Sequence, residues 1–381
     1  AQSGSVVPGS FVFDRLPEYP WEKLKPFREQ AARFSEGLID LSVGSPVDPT
    51  PRVIQEALDS SSNAPGYPTT WGSVQLREAI ASWYGRRRNT PGLTASHVAP
   101  TIGSKEFISW LPIMLGIGPG DVVVQPRIAY TAYAVGAAFA GAEILSSDDP
   151  SEWPENTKLI WLNSPANPHG AVLGIEFLKK AVERARELGA VIVNDECYAE
   201  LGWEGEWADF IPCILDERVT GGNLTNILSI YSLSKQSNLA GYRAAFAAGD
   251  PEMMKALVNL RMHSGMIVPH PVQQAMIAAL NDEEHVQVEK EIYRARRNVL
   301  LPALKAYGFE VSNSEAGLYL WVTKGDYCWD TIQELTEIGI LAVPGEFYGE
   351  AGRNHVRFSI TATDEDISRA AKRLSSSSSL A

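Results

Sequence analysis

Between residues 122 and 248, short runs that are apolar throughout, Ser229 excepted, alternate with longer stretches of helical spacing, and this alternation admits few folds. The run 122–124 follows the turn signal Gly118-Pro-Gly-Asp121, and similar runs occupy 159–162, 190–193, 227–231 and 244–248. A helical pattern over 175–188 separates the second run from the third. Runs that are apolar at every position, rather than at every second one, predict strands covered on both faces, and hence a mostly parallel sheet between helices. Upstream, a helix is expected through 51–58 with Thr50 as its N-cap and Pro51 at its first position. Ser73 starts another, with Leu76, Ile80, Trp83 and Tyr84 at helical spacing. After about residue 281 the pattern changes to a long charged helix, 283–307, followed by strands at 318–323 and 355–360. That is a separate α+β unit. No internal repeat is present.

Charge and cysteine usage exclude several functions. The 381 residues carry a net charge of −13 and a pI near 5.0, so no broad basic face exists to neutralise nucleic-acid phosphates. Cys197, Cys213 and Cys328 lie far apart without CxxC spacing. No disulfide framework or zinc ribbon is expected, no metal site is predicted, and a reducing cytoplasm suits the chain. Residues 1–10 show no basic segment leading into an apolar one, so no signal peptide is expected there. No apolar run approaches about 18 residues, so no membrane span is expected.

Four segments carry chemistry. Ser232-Leu233-Ser234-Lys235 follows the run 227–231, and Gly241-Tyr242-Arg243 comes shortly after. A lysine acts as a Schiff-base nucleophile when burial or nearby positive charge destabilises its ammonium form. The C-terminal end of a buried strand is where open α/β sheets place ligands, and two hydroxyls with one guanidinium are enough to grip a phosphate. Read alone, the segment fits a surface loop equally well. Asp195 follows the run 190–193, where an unpaired carboxylate is costly; it either caps a following helix or meets a cation. In Asn163-Ser-Pro-Ala-Asn167-Pro-His-Gly170, two prolines make a stiff turn that either aims the Asn167 amide at a ligand or is only a tight loop. Thr101-Ile-Gly103-Ser104-Lys105-Glu106 places a glycine and a hydroxyl at a helix start, which suits a phosphate or a simple cap.

In this order and spacing the four segments resemble the class I/II aminotransferases, fold-type I pyridoxal phosphate enzymes, from about residue 38 to the last helix. The resemblance implies a large α/β domain, 45–281, with a mostly parallel seven-stranded sheet sandwiched by helices. A smaller α+β domain would be built from 1–44 and 282–373, with 374–381, including the serine run 375–379, as a flexible tail. It further implies pyridoxal 5'-phosphate held as a Schiff base on Lys235, which also moves the proton at the substrate α-carbon. Asp195 would pair with the pyridine nitrogen, Asn167 and Tyr198 with the ring oxygen, and Tyr130 would stack on the ring. Gly103, Ser104, Lys105, Ser232, Ser234 and Arg243 would hold the phosphate, joined by Tyr67 of the partner subunit in a homodimer with shared sites. Arg357 would clamp the substrate α-carboxylate, with Gly44 and Asn167 beside it. Ser164 and His169 depart from the usual turn. The segment 125–130 is one residue longer than the common form, which leaves Tyr133 as the alternative to Tyr130.

Within the family the chain is most similar to actinobacterial N-succinyldiaminopimelate aminotransferases. The similar stretches are Leu16-Pro-Glu-Tyr-Pro-Trp21, 39–51, Ala64-Pro-Gly-Tyr67-Pro-Thr-Thr70 and Pro100-Thr-Ile-Gly-Ser-Lys-Glu106. This similarity implies amino transfer between L-glutamate and N-succinyl-2-amino-6-ketopimelate, in lysine and diaminopimelate biosynthesis, with Arg127 or Lys105 meeting distal carboxylates. Aspartate, alanine or kynurenine aminotransferases would share every motif. A C–S β-lyase, or a pyridoxal-binding regulator without enzyme activity, are the readings from other classes.

Overall fold

The computed structural model describes residues 16–377, so residues 1–10 and 378–381, on which two expectations bear, lie outside it. Its strands are β1 (Ile39–Asp40), β2 (Val98–Ile102), β3 (Val122–Gln125), β4 (Glu143–Ser146), β5 (Thr157–Asn163), β6 (Val191–Asp195) and β7 (Ile227–Ser232). The series continues with β8 (Ala244–Gly249), β9 (Glu310–Ser312), β10 (Tyr319–Thr323), β11 (Ile340–Leu341), β12 (Val343–Pro344) and β13 (Val356–Ser359). Seven form the central sheet, in the order β2-β8-β7-β6-β5-β3-β4. Only β8 runs against its neighbours, pairing antiparallel with both β2 and β7; the other pairs are parallel.

Side chains on successive residues of a strand point to opposite faces, and the two faces of this sheet feed two apolar clusters. Ile160, Leu162 and Ile192 enter one, while Leu159, Trp161, Val191 and Val193 enter the other. Both faces are roofed by helices, which is why these strands read as continuous apolar runs. The sheet's edge strands escaped that reading. β2 tolerates Pro100 because it is an edge, and β4 leaves Glu143, Ile144 and Ser146 exposed.

The helix Val74–Arg87 starts as expected, with the Ser73 side chain accepting from Leu76 N at 3.1 Å. Thr50 does not cap its helix. Arg52–Ser60 follows Pro51, and the Thr50 hydroxyl instead donates to Asn238 O at 2.8 Å, a tertiary partner that displaces the local one. Beyond the sheet, the 25-residue helix Glu283–Tyr307 buries Tyr293, Leu300 and Leu304 in a further cluster with Leu320, Phe358 and Ile367. That cluster covers the antiparallel sheet β12-β13-β10-β9. The last helix, Asp364–Ser376, overturns part of the expected tail. Leu374 is fully buried, and Arg373 donates to the carbonyls of Gly37 and Gly339, so packing holds the final turn through the first two serines of the run.

Candidate active site

Topology gathers the chemistry at one edge of the central sheet. β5, β6 and β7 are parallel, so Asn163, Asp195 and Ser232 all finish at their C-terminal ends, with Asn163 directly opposite Asp195. β8 runs the other way. Its first residue, Ala244, therefore lies opposite Ile102 at the end of β2, which brings Arg243 beside Gly103 at the same edge. A cavity of about 490 Å³ opens there.

One wall is a cradle for an anion. The helix Gly103–Met114 points its N-terminus at the cavity, and Ser104, Ser232, Ser234 and Arg243 line it. Free N–H groups at a helix start attract phosphate. Gly103 has φ +71, and a Cβ there would lie 2.2 Å from the Arg243 guanidinium, so glycine is what lets that cation settle over the helix start. Ser232 caps the short helix Leu233–Gln236 by accepting from Ser234 N at 3.1 Å. Lys235 on that helix reaches the cavity, where its Nζ donates to the Gly44 carbonyl.

Asp195 forms the floor. Its carboxylate accepts from Tyr133 OH at 2.7 Å and faces the cavity while only 5 % exposed. Burial holds it above the usual carboxylate range. The next residue, Glu196, is pinned by Arg88 at 3.0 Å, by Ser229 Oγ at 2.9 Å and by the Ile214 N–H at 2.8 Å. Breaking such a buried pair costs about 3–5 kcal/mol, so this network fixes the segment on which Asp195 and Tyr198 sit.

The opposite wall comes from the antiparallel sheet. Arg357 on β13 is 3 % exposed, and its guanidinium lies 3.9 Å above the Tyr319 ring centroid. It donates to Asn167 Oδ1 at 3.0 Å and to Ser42 O at 2.8 Å, and its Nε has no partner. Among the described residues no acidic side chain pairs with it, so this buried cation is set for an anion from outside. Gly44 packs on the same tyrosine so closely that a Cβ would lie 2.2 Å from its hydroxyl.

Sequence and structure comparisons agree on the family. The aminotransferase class I and II model matches residues 36–374. The chain belongs to the class I/II aminotransferases. It is 49% identical to the 4-dedimethylamino-4-oxo-anhydrotetracycline transaminase OxyQ of Streptomyces rimosus, covering 94% of this chain and 99% of that protein. It is 34% identical to the LL-diaminopimelate aminotransferase of Aquifex aeolicus, over 94% and 96%. A solved Neisseria meningitidis aminotransferase superimposes with a TM-score of 0.86 at 30% identity, over 97% of this chain and all of that one.

The cofactor of this aminotransferase is pyridoxal phosphate, and the residues present fit it. The cradle of hydroxyls, helix N-terminus and Arg243 suits a phosphate dianion. Asp195, a buried carboxylate held up by desolvation, suits a protonated ring nitrogen. Asn167 turns its Oδ1 to Arg357, which leaves its Nδ2 to donate elsewhere.

The expected residues fall in three groups. Gly44, Ser104, Lys105, Tyr130, Asn167, Asp195, Tyr198, Ser232, Ser234, Lys235, Arg243 and Arg357 line the cavity, and Gly103 lies directly beneath Arg243. Tyr130 faces the cavity, whereas Tyr133 is fully buried behind Asp195 and stacked on Trp161. Tyr67 is wholly exposed. Arg127 is exposed as well and does not line the cavity. Its backbone N–H donates to Asp148 Oδ1 at 3.1 Å and its carbonyl packs on Gly349. Sequence reading missed Tyr319, Ser42, Cys197, Tyr19 and Trp21, which also line the cavity. Tyr319 sits in a segment read only as a strand, and no local signal marks it; its place follows from the pairing of β10 with β13.

The turn after β5 is shaped by Asn163, whose Oδ1 accepts from Asn167 N at 2.8 Å. His169 in this turn is half-buried with its Nδ1 enclosed, and desolvation, with His355 beside it, depresses its imidazole from 6.5 to about 4. Between these values the unfolded chain binds a proton that the folded one refuses, so stability falls as pH drops from 6.5 through about 4. His169→Asn is therefore expected to flatten the acid limb of a melting-temperature profile over that window. An equally steep limb in the variant would show that other groups cause it.

Proposed function

We propose that this aminotransferase passes an amino group between L-glutamate and N-succinyl-2-amino-6-ketopimelate. One observation carries the reading: a buried arginine, Arg357, lines a cavity of about 490 Å³ and is unpaired by any acid among the described residues. It suits a single fixed α-carboxylate with room beyond it for a long side chain. Lys105 lines the cavity and serves as the distal cation in this reading; Arg127, exposed outside the cavity, does not. The similarity to an LL-diaminopimelate aminotransferase supports the same substrate class.

Pyridoxal phosphate, when bound, supplies a conjugated ring that delocalises the electron pair left when the substrate α-carbon loses its proton. The chain's own residues do the rest. Lys235 Nζ takes that proton and delivers it. Asp195 would keep a proton on the ring nitrogen through its negative charge, and Asn167 Nδ2 and Tyr198 Oη would donate to the ring oxygen. Tyr130 would cover one ring face. Ser104, Ser232, Ser234 and Arg243 anchor the phosphate, with Tyr67 of the partner subunit, in a homodimer. Residues 45–281 form the cofactor-bearing unit, and 282–373 with 16–44, the described part of 1–44, form the smaller one. The three free cysteines suit a reducing cytoplasm, and among the described residues no helix is long and apolar enough to cross a membrane.

The similarity to OxyQ favours a second reading, in which the amino acceptor is a larger cyclic ketone. The first reading is tested against the second by following cofactor absorbance in single half-reactions with glutamate, succinyl-diaminopimelate, aspartate and alanine. The expected result is conversion by the first two, with at least about tenfold lower efficiency for the others, the penalty of roughly one lost charged contact. No response to succinyl-diaminopimelate would sink the first reading and leave the second.

A further inference from the structure

Tyr319 stands where the carboxylate clamp and the cofactor site meet. Its hydroxyl lies 2.9 Å from the Tyr198 hydroxyl, and both residues are buried. Arg357 covers its ring at 3.9 Å. Tyr319 belongs to β10, beside the strand that carries Arg357, while Tyr198 follows β6 in the segment that carries Asp195. This contact therefore joins the two walls of the site.

The direction of the hydrogen bond follows from counting protons. A phenol has one proton to donate. If Tyr198 gives its proton to the cofactor's ring oxygen, its own oxygen can only accept from Tyr319. We propose that Tyr319 is a positioning residue, donating to the Tyr198 oxygen and so strengthening Tyr198 as donor to the ring oxygen. This rests on the reading of Tyr198 given above. Chains of hydroxyl donors polarise one another, and a guanidinium over the ring makes the first donor more acidic. The groups facing the Tyr319 phenol are Arg357, Lys235, Tyr198, Cys197, Tyr130, Tyr348 and Tyr293. Burial acts to raise this phenol, but chiefly the positive charges of Arg357 and Lys235 outweigh it and leave it below the ordinary tyrosine value. Burial holds Tyr198 well above that value. Within the pair Tyr319 is thus the stronger acid, and the better donor when it holds its proton.

A donor on the ring oxygen stabilises negative charge there and lowers the pH at which the bound chromophore loses its proton. Tyr319→Phe keeps the aromatic bed under Arg357 and removes only the donor. In the holoenzyme it is expected to raise the pH midpoint of the visible absorbance by about 0.5 unit, the size of one phenol hydrogen bond. Tyr198→Phe should raise it further, and adding Tyr319→Phe to that variant should change nothing more, because the relay is already cut. In the cofactor-free protein, ultraviolet titration should lose its lowest-pH tyrosinate phase in Tyr319→Phe. An unchanged midpoint in the single variant, or a full shift persisting in the Tyr198→Phe background, overturns the relay. A native chain that shows no visible absorbance with pyridoxal phosphate would overturn the reading of the site, and the relay with it.

Discussion

Replacing Lys235 by alanine is expected to lower turnover by at least about four orders of magnitude, the upper range for a positioned proton-transfer group. The visible absorbance that pyridoxal phosphate develops on the native chain should vanish with it. The reason is local. Lys235 sits on a four-residue helix at the mouth of β7, held by the Ser232 cap, and its amine reaches the cavity against the Gly44 carbonyl. The other lysine that lines the cavity, Lys105, is exposed in the first turn of the helix Gly103–Met114 and belongs to a different wall. Lys235→Arg should fail equally, since a guanidinium keeps its charge and does not form an imine. Absorbance spectra, borohydride trapping and peptide mapping read the result. Native-like absorbance in the alanine variant, with turnover retained, would rule out this amine as the attachment point.

Asp195→Asn should lower kcat by roughly a thousandfold, about 4 kcal/mol, the scale of a buried charge pair left half-made. Asparagine keeps the shape and can still meet Tyr133, but it carries no negative charge to hold a proton on the ring nitrogen. A second measurement separates this from simple misfolding. In the cofactor-free chain burial raises the Asp195 carboxyl above its ordinary value. The stability it contributes is present at low pH and is lost as pH rises through the raised folded value. The variant should therefore be at least as stable as the native chain without cofactor at neutral pH. It should also gain less in melting temperature when pyridoxal phosphate is added. A native-like kcat, or an equal thermal gain, would remove Asp195 from this role.

Much of the site could be read before the fold was known, for a physical reason. Three segments of the candidate site lie immediately after buried strands, where an apolar run stops and polar residues begin, and that break is visible in one dimension. Asn163, Asp195 and Ser232 end β5, β6 and β7 in this way. The choice between Tyr130 and Tyr133 was not visible, because three residues on a loop leading into a helix do not say which ring faces inward. The exposure of Arg127 outside the cavity was not visible either; its backbone is held by Asp148 and Gly349, both distant in the chain. Thr50 was misjudged for the same kind of reason, its hydroxyl taken by Asn238 from far along the chain.

The amino-acid sequence alone determined the alternation of helices and doubly covered strands, and which residues stand at the strand ends, because these depend on short-range patterns of burial. Only the tertiary structure decided how β8 reverses to bring Arg243 over Gly103 and how β10 sets Tyr319 beneath Arg357. It also decided that Arg357 stays unpaired by any acid among the described residues. Those are long-range pairings, settled by which strands become neighbours once the chain has folded.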